Sequence, residues 1–244
     1  MKLLLEGTQL SKSFGGLSAL RGVSFYVKPQ EIVGLIGPNG SGKTTLFNLI
    51  SGVFPPEQGE LSLEGEKITG LKPYQICRKG IGRTFQIVRP FLKMTCLENV
   101  LVPMLWAKAG EHNKSQRQQE AMEELKFVGL SPWAHKPAGE LTLIQKKKLE
   151  VARALATRPK VILLDEVLAG LNPSEVLQAL ELIEEIRSVR GITVFWVEHV
   201  MGAIMKACDR VIVLDQGQKI SEGLPQQVIS DPVVVRAYLG ESDA

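Results

Sequence analysis

The alternation of apolar and polar residues along the chain predicts strands and helices in a regular order. LLLEG and GVSFYV predict short strands separated by turns within residues 1–36. EIVGLIG (31–37) is a compact apolar run that ends in glycine and leads into a helix predicted to begin near Thr44. GELSLEGEKI (59–68) predicts a hairpin that turns at its Glu-Gly pair.

The pattern becomes helical from about residue 93 to residue 130. Met122, Leu125 and Val128 fall on one face of a predicted helix, after the polar stretch EHNKSQRQQE. Because the strand patterns stop here, we expect an inserted helical subdomain of roughly 50 residues.

Strands and helices alternate again beyond this insertion. VILLDE (161–166), ITVFWVEH (192–199) and RVIVLDQGQKI (210–220) predict strands, the last with a turn and a returning strand. PSEVLQALELIEEIRSVR, between the first two, predicts a helix with apolar residues at 176, 180, 183 and 186. This alternation predicts an α/β fold with a mostly parallel sheet covered on both faces.

Composition excludes several classes of protein. The net charge of +3 is too small to indicate a nucleic-acid binder. Cys77, Cys96 and Cys208 are scattered and form no C-x-x-C pair, which argues against a disulfide framework or a zinc site. No apolar run approaches the length of a membrane span, and MKLLLEG is too short for a signal peptide. We therefore expect a cytoplasmic protein that works at a membrane, if it does, through partners.

GPNGSGKTT (37–45) carries the strongest chemical signal. It matches G-x-x-x-x-G-K-[ST] between an apolar strand and a helix, the context that a phosphate-binding loop requires. Its glycines let successive backbone N–H groups face phosphate oxygens, and the helix adds its positive end. The alternative, a glycine-rich turn without a ligand, does not explain this context. The predicted nucleotide-binding residues here are Asn39, Gly40, Ser41, Gly42, Lys43, Thr44 and Thr45.

VILLDE supplies two acids at the end of a buried strand. Acids often end strands without any chemical role, but here a phosphate loop lies in the same chain. Asp165 is therefore predicted to associate with Mg²⁺, together with the Thr44 hydroxyl, and Glu166 to polarise the attacking water.

These motifs resemble those of the nucleotide-binding subunit of an ATP-binding cassette (ABC) transporter, in the family's order and over essentially the whole chain. GPNGSGKTT resembles the Walker A loop, VILLDE the Walker B strand, RTFQ the Q-loop, AGLN (169–172) the D-loop and VEHV the switch loop. The resemblance implies that Phe14 stacks on adenine, Gln86 contacts Mg²⁺ or water, and His199 contacts the γ-phosphate as a catalytic residue. Glu198 is interpreted as a helper or a surface charge.

The same resemblance implies a domain organisation. A P-loop NTPase core with a mostly parallel sheet and an N-terminal antiparallel β subdomain would comprise residues 1–92 and 157–244. The helical subdomain with the signature loop would comprise residues 93–156. The whole chain, 1–244, would then form a single ABC ATPase domain.

Finer motifs, such as GIGRTFQIVRPF, LEVARALATRPKVILLDE and VVVRAYLGE, resemble the branched-chain amino-acid importer branch. This implies an ATPase that uses ATP and Mg²⁺ to drive import of branched-chain amino acids or a related small polar solute. The implied partners are a second ATPase subunit, identical or not, transmembrane permease subunits and, indirectly, a solute-binding protein; no nucleic acid is implied. Residues 87–100, with Pro90, Phe91 and Leu92, would receive a coupling helix at the inner face of the cell membrane; the alternative is ordinary packing.

LTLIQ (141–145) stands where the family has Leu-Ser-Gly-Gly-Gln. Thr142 and Gln145 are assigned to contact a partner's nucleotide in trans, whereas Leu143 and Ile144 depart from the pattern. Because a β-branched residue resists φ > 0, Ile144 predicts weaker coupling between ATP binding and dimer closure. Residues 146–148, all lysine, are interpreted as a solvated face or as positive charge near a trans nucleotide.

Val167 replaces the proline that the family commonly has after its Asp-Glu pair, which leaves the following turn less restricted. Two alternative functions stay open at this stage. One is a soluble ABC ATPase outside transport, of the assembly-factor type, and the other is a nucleotide-dependent dimerisation module that hydrolyses ATP weakly.

Overall fold

The computed structural model of the protein describes residues 3–107 and 113–239. In this part of the chain the strands are β1 Leu5–Phe14, β2 Leu17–Val27, β3 Ile32–Ile36, β4 Gln58–Leu63, β5 Glu66–Lys67, β6 Ile81–Arg83, β7 Val161–Asp165, β8 Thr193–Val197, β9 Arg210–Asp215 and β10 Gln218–Gly223. The helices are α1 Lys43–Ile50, α2 Pro73–Lys79, α3 Cys96–Ala107, α4 Lys114–Phe127, α5 Leu143–Leu155, α6 Pro173–Ser188, α7 Met201–Ala207, α8 Pro225–Ile229 and α9 Pro232–Leu239. Short 3-10 turns span Ser131–Trp133 and Ala138–Glu140.

The central sheet has six strands in the order β10-β9-β3-β8-β7-β6. All neighbours are parallel except β10 and β9, which form a hairpin. Every residue of β3, β7 and β8 is buried, as expected of strands covered on both faces. Alternate residues enter two separate apolar clusters: Leu164 and Trp196 join one, Leu163 and Phe195 the other. The predicted mostly parallel, two-sided sheet is confirmed.

A second, antiparallel sheet has the order β2-β1-β4-β5. Its two long strands have 10 and 11 residues, so the predicted short strands are in fact continuous. Register shifts between β1 and β2, together with a positive φ of 50° at Gln9, interrupt the regular alternation without ending the pairing. The β4–β5 hairpin turns at Glu64 and Gly65, where φ is 52° and 81°, as the sequence predicted.

Helices α3, α4 and α5 pack against one another, and α5 also contacts β6 of the central sheet. Leu125 and Val128 are buried in their shared core and Met122 packs against it, which confirms the predicted apolar face. The apolar cluster continues from these helices to α6 and to the sheet residues that face them. The subdomain boundaries at residues 93 and 156 stay an expectation.

The parallel strands bring their carboxyl ends to one edge of the sheet. The loops that follow β3, β6, β7 and β8 carry the phosphate-loop, Q-loop, Walker B and switch motifs, respectively. Ligands of open α/β sheets bind at this edge. Across residues 3–107 and 113–239, no helix combines the length and the apolar character that crossing a membrane demands.

Candidate functional site

Glycines shape the loop between β3 and α1. Gly37 has φ 151°, and a Cβ there would lie 2.0 Å from the Leu214 carbonyl oxygen. Gly42 caps α1 with φ 104°, and a Cβ there would lie 2.6 Å from the Ala19 oxygen. Since only glycine fits both positions, the loop curls tightly against the sheet edge.

Lys43 folds back over this loop. Its Nζ donates to the backbone oxygens of Gly37 at 2.7 Å and Pro38 at 2.9 Å. The pKa of the Lys43 amine is below its ordinary value because the group is buried, and the carboxylates of Glu166 and Asp165 offset part of this lowering. The ammonium is thus held inside the loop and attracted by the two acids, where phosphate oxygens would replace the carbonyl partners.

Ser41 shows that the loop fits an anionic ligand. Its Oγ is buried and has no hydrogen-bond partner among the described residues. A buried hydroxyl without a hydrogen-bond partner costs roughly 1–3 kcal/mol. A phosphate oxygen that accepts a hydrogen bond from the Ser41 hydroxyl would remove this cost.

An open cavity of about 540 Å³ lies beside the loop, and it brings the predicted nucleotide-binding residues together. Its lining includes all of them: Phe14, Asn39, Gly40, Ser41, Gly42, Lys43, Thr44 and Thr45. Glu166 also lines it, as do β2 residues including Ala19 and Arg21, and Gln216 from the β9–β10 turn. Sequence reasoning missed these last three, because nothing in the motif indicates which neighbouring strand covers the loop.

Phe14 lies at the end of β1, on the wall of this cavity. Its ring packs edge-to-face on Phe54, with centroids 5.3 Å apart and planes at 73°. The Lys12 ammonium lies 5.5 Å from the ring centroid. Phe14 remains 43% exposed, so part of the ring is accessible to a planar base.

A second depression of about 470 Å³ gathers the three predicted metal ligands, Thr44, Gln86 and Asp165. Among the described residues no cluster of three or more His, Cys, Asp or Glu side chains could hold a metal ion. Mg²⁺ carried by a nucleotide requires only one or two protein oxygens beside the phosphates, and these three side chains offer a hydroxyl, an amide and a carboxylate. The donor set therefore fits nucleotide-bound Mg²⁺.

Asp165 is also paired with a residue that the sequence analysis did not single out. Arg83 donates to Asp165 Oδ2 at 3.0 Å, to Asn48 Oδ1 at 2.8 Å and to Ser51 Oγ at 2.7 Å. The side chains of Arg83 and Asp165 are only 6% and 5% exposed. The pKa of Asp165 is above its ordinary value because the carboxyl is buried, and Arg83 offsets part of this rise. Arg83 belongs to the RTFQ motif, but the resemblance assigned a role only to the glutamine.

Glu166 occupies an uncommon backbone conformation, with φ 49°. For a residue other than glycine this costs roughly 1–3 kcal/mol and persists only where the surroundings enforce it. Its N–H donates to the Val197 oxygen at 3.0 Å, its Oε2 accepts from Gln86 Nε2 at 2.5 Å, and its Oε1 lies 3.6 Å from His199 Nδ1. The structure thus brings both predicted catalytic residues together with the predicted Q-loop glutamine.

For two nearby groups of charges, the structure excludes one of the two interpretations given above, exposure to solvent. Residues 146–148 do not form a uniformly solvated face, because Lys147 is 8% exposed and donates to the oxygens of Glu166 at 3.3 Å and Val167 at 2.9 Å. Glu198 is no surface charge, because it is fully buried and accepts from the N–H groups of Leu168 at 2.8 Å and His199 at 3.0 Å. Successive helix residues differ in direction by about 100°, so a lysine run necessarily presents side chains to different surroundings.

The predicted signature loop begins α5. Thr142 is the N-cap: its Oγ1 accepts from the Gln145 N–H at 3.4 Å, and Gln145 Oε1 accepts from the Thr142 N–H at 3.0 Å. Neither residue lines the 540 Å³ cavity of its own chain, and their predicted trans contacts stay predictions.

The premise that position 144 needs φ > 0 is wrong for this structure. Ile144 lies in the first turn of α5, outside the positive-φ positions, and lines an apolar depression with Val151, Leu164 and Val167. The φ argument for weaker coupling therefore does not hold, and the coupling itself stays a prediction.

Comparison with known proteins places this geometry in a family. Residues 20–169 match the family described as "ABC transporter", and residues 218–244 match "Branched-chain amino acid ATP-binding cassette transporter". The chain is 39% identical to the high-affinity branched-chain amino acid transport ATP-binding protein BraF of Pseudomonas aeruginosa, over 98% of both chains. It is 35% identical to the lipopolysaccharide export system ATP-binding protein LptB of Acidithiobacillus ferridurans, over 99% of this chain and 98% of that protein.

Solved structures of ABC transporter cassettes share the fold of this chain. The ADP conformation of an ATP-binding cassette of an ABC transporter has a TM-score of 0.89 at 35% identity, covering 99% of this chain and all of that one. A dimeric post-hydrolysis state of a cassette bound to ADP and Pi has a TM-score of 0.82 at 27% identity, covering 91% and 99%. With a glycine-shaped phosphate loop, an adjoining acid pair and full-length likeness in both sequence and fold, the chain belongs to the ABC transporter family, as one of its nucleotide-binding, ATP-hydrolysing cassettes.

Proposed function

We propose that this cassette powers a multisubunit importer by hydrolysing Mg²⁺-ATP at the sheet edge described above. The observation that carries the site is the convergence of Gln86 and His199 on Glu166, beside the phosphate loop. A carboxylate held between an amide and an imidazole is placed to polarise a water molecule for attack on a phosphate.

Each residue of the site has a role in this proposal that follows from its position. The loop from Asn39 to Thr45 binds the phosphates, with Lys43 as its positive charge, and Phe14 stacks on the base. Thr44, Gln86 and Asp165 would hold Mg²⁺, which would supply positive charge to the phosphates. Glu166 orients the attacking water, and His199 contacts the γ-phosphate and supports the Glu166 carboxylate.

A second cassette subunit completes the site in this proposal. Thr142 and Gln145 cap α5 and lie outside the cavity of their own chain, so a partner's nucleotide is the ligand they would reach. The dimeric post-hydrolysis cassette supports such an arrangement. The partner is either an identical chain or a related one.

Residues 87–100 form the proposed contact with a permease. Fully buried Asn99 accepts from the Phe91 N–H at 2.8 Å and donates to the oxygens of Phe91, Met94 and Thr95 at 3.0, 3.3 and 3.0 Å. This amide fixes the loop while Phe91 and Leu92 remain 44% and 54% exposed. Exposed apolar side chains on a fixed loop suit a helix of a membrane subunit. The localisation proposed with this contact is cytoplasmic, peripheral to the cell membrane.

Branched-chain amino acids or a related small polar solute are the proposed cargo, reached through a separate solute-binding protein. The likeness to BraF and the match over residues 218–244 support this class. The export-system relative, at 35% identity, indicates that cassettes of different transporters resemble this chain almost equally. The permease and the binding protein therefore decide the solute.

ATP turnover of the purified chain, alone and then with its permease subunits in vesicles, tests the proposal. We expect hydrolysis that Glu166→Gln abolishes, and ATP-dependent uptake of a branched-chain amino acid in the complete system. Robust single-turnover hydrolysis excludes the weakly hydrolysing dimerisation module. Hydrolysis without co-purification of any multispanning membrane protein would instead favour the soluble assembly-factor type.

A further inference from the structure

The turn that follows β7 is held between two buried charges of opposite sign. Lys147, from α5, donates to the carbonyl oxygens of Glu166 and Val167 at 3.3 and 2.9 Å. Glu198, from the end of β8, accepts from the Leu168 N–H at 2.8 Å. The turn therefore offers its carbonyls to the cation and its amide to the anion. We propose that Lys147 and Glu198 act as positioning residues, a clamp that holds Glu166 in the orientation required for hydrolysis.

The turn requires such support. Glu166 has φ 49°, a conformation that its own side chain disfavours. The next residue is Val167, whose φ no ring restricts. Within the turn, the Ala169 N–H donates to the Glu166 oxygen at 3.3 Å, a long bond to which other elements add theirs. The clamp provides three of these added bonds, on three consecutive residues.

The two charges balance each other in the interior. Lys147 is 8% exposed and Glu198 is fully buried. The pKa of the Lys147 amine is below its ordinary value because the group is buried, and the nearby Glu198 and Glu166 offset part of this lowering. Removing one charge leaves the other buried without its counterpart, which penalises the turn more than the loss of one hydrogen bond would.

The clamp also joins the signature helix to both catalytic residues. Lys147 lies in the helix that Thr142 caps, and Glu198 uses its second oxygen to accept from the His199 N–H at 3.0 Å. A shift of α5 against the sheet would therefore displace the Glu166 carbonyl, and through Glu198 the His199 backbone. This inference rests on the proposed function, because it assigns Lys147 and Glu198 a role in the same hydrolysis.

Lys147→Met tests the clamp, since methionine keeps the unbranched stem and removes the charge. Lys147→Arg is the conservative variant, and Lys148→Met is the matched control, because Lys148 Nζ donates to Gln178 on α6 instead. We expect Lys147→Met to lower kcat by about tenfold or more while the Kd for a fluorescent ATP analogue stays within about twofold, the pattern of a lost orientation. Lys147→Arg should recover most of the turnover, and Lys148→Met should leave the amide exchange of residues 166–169 at the wild-type rate.

Hydrogen–deuterium exchange on the nucleotide-free chain supplies a readout that does not depend on activity. In Lys147→Met and in Glu198→Gln, the amides of residues 166–169 should exchange about tenfold faster or more, with β3 and α1 unaffected. Loss of protection across the whole chain would instead identify a general folding role and overturn the proposal. The proposal would also be overturned if Lys147→Met kept both the wild-type kcat and the wild-type protection of residues 166–169. If the wild type itself fails to hydrolyse ATP, the proposed function fails, and the exchange measurement still decides whether the clamp exists.

Discussion

Removal of the Arg83 guanidinium will show how strongly the buried ion pair beneath the site stabilises the fold. Arg83 and Asp165 are 6% and 5% exposed and 3.0 Å apart. Arg83→Met keeps an unbranched stem but removes the guanidinium, whose carbon lies 5.8 and 4.9 Å from the ring centroids of Phe47 and Phe85. The substitution therefore removes the charge, its hydrogen bonds and its contacts with the two rings.

The expected loss follows from the burial of the pair. Breaking a buried ion pair by removing one partner costs roughly 3–5 kcal/mol, because the other charge stays behind in the interior. Asn48 and Ser51 also lose a donor, but both are partly exposed and water can replace it. We expect a decrease of about 3–4 kcal/mol in the free energy of unfolding. In a chain of this size this lowers Tm by roughly 6–16 °C.

Urea unfolding of the nucleotide-free chain measures this loss, with Arg187→Met as the control. Arg187 pairs with Asp209 at 3.0 Å and with Glu184, but these side chains are 27%, 45% and 48% exposed, so its removal should cost about 1 kcal/mol or less. In a double-mutant cycle with Asp165→Asn, the combined loss should be smaller than the sum of the single losses. Equal, small losses for Arg83→Met and Arg187→Met would refute the argument that burial makes the first pair costly to break.

Three further predictions concern other parts of the chain. Asn99→Ala removes four hydrogen bonds inside the core and should cost about 2–3 kcal/mol, with faster proteolysis near Phe91; unchanged cleavage would contradict this. Ile144→Gly should lose about 1–3 kcal/mol in urea unfolding, because the side chain packs and glycine weakens the helix; a gain in stability would oppose it. Burial raises the folded-state pKa of Glu124, which Arg190 offsets only in part, so stability falls as pH rises through that pKa. Glu124→Gln should therefore raise Tm relative to wild type at about pH 8 and lose the advantage near pH 4, whereas an equal difference at both would argue against this linkage.

Periodicity predicted the central sheet because its strands are buried on both faces. A continuous apolar run such as VILLD has one stable place in a soluble α/β domain, between two layers. The antiparallel sheet was harder to delimit, since Gln9 bulges out of β1 and breaks the alternation that marks a strand. Bulges depend on pairing with a neighbour, which the local sequence does not contain.

Motif residues were predicted where chain neighbours act together, and missed where distant segments meet. Asn39 to Thr45 lie on one loop, so spacing alone groups them. Arg83, Lys147 and Glu198 make their contacts only when β6, α5 and β8 bring them to β7 or to the turn that follows it. Such contacts depend on the packing of whole elements, which no spacing along the chain encodes.

The signature loop carried a local signal that a different pattern would have captured. Thr142-Leu-Ile-Gln145 has the spacing of a capping box, and the structure forms both of its bonds. In this cap the Thr142 Oγ1 accepts a hydrogen bond and keeps its own proton, while Gln145 engages its oxygen and keeps both amide protons. An anionic phosphate requires donors, and these are the groups that the cap leaves available. Ile144 meanwhile faces Val151 and Leu164 within its own chain. These donors are the groups that the proposed contact with a partner's nucleotide would use, and the cap orients them.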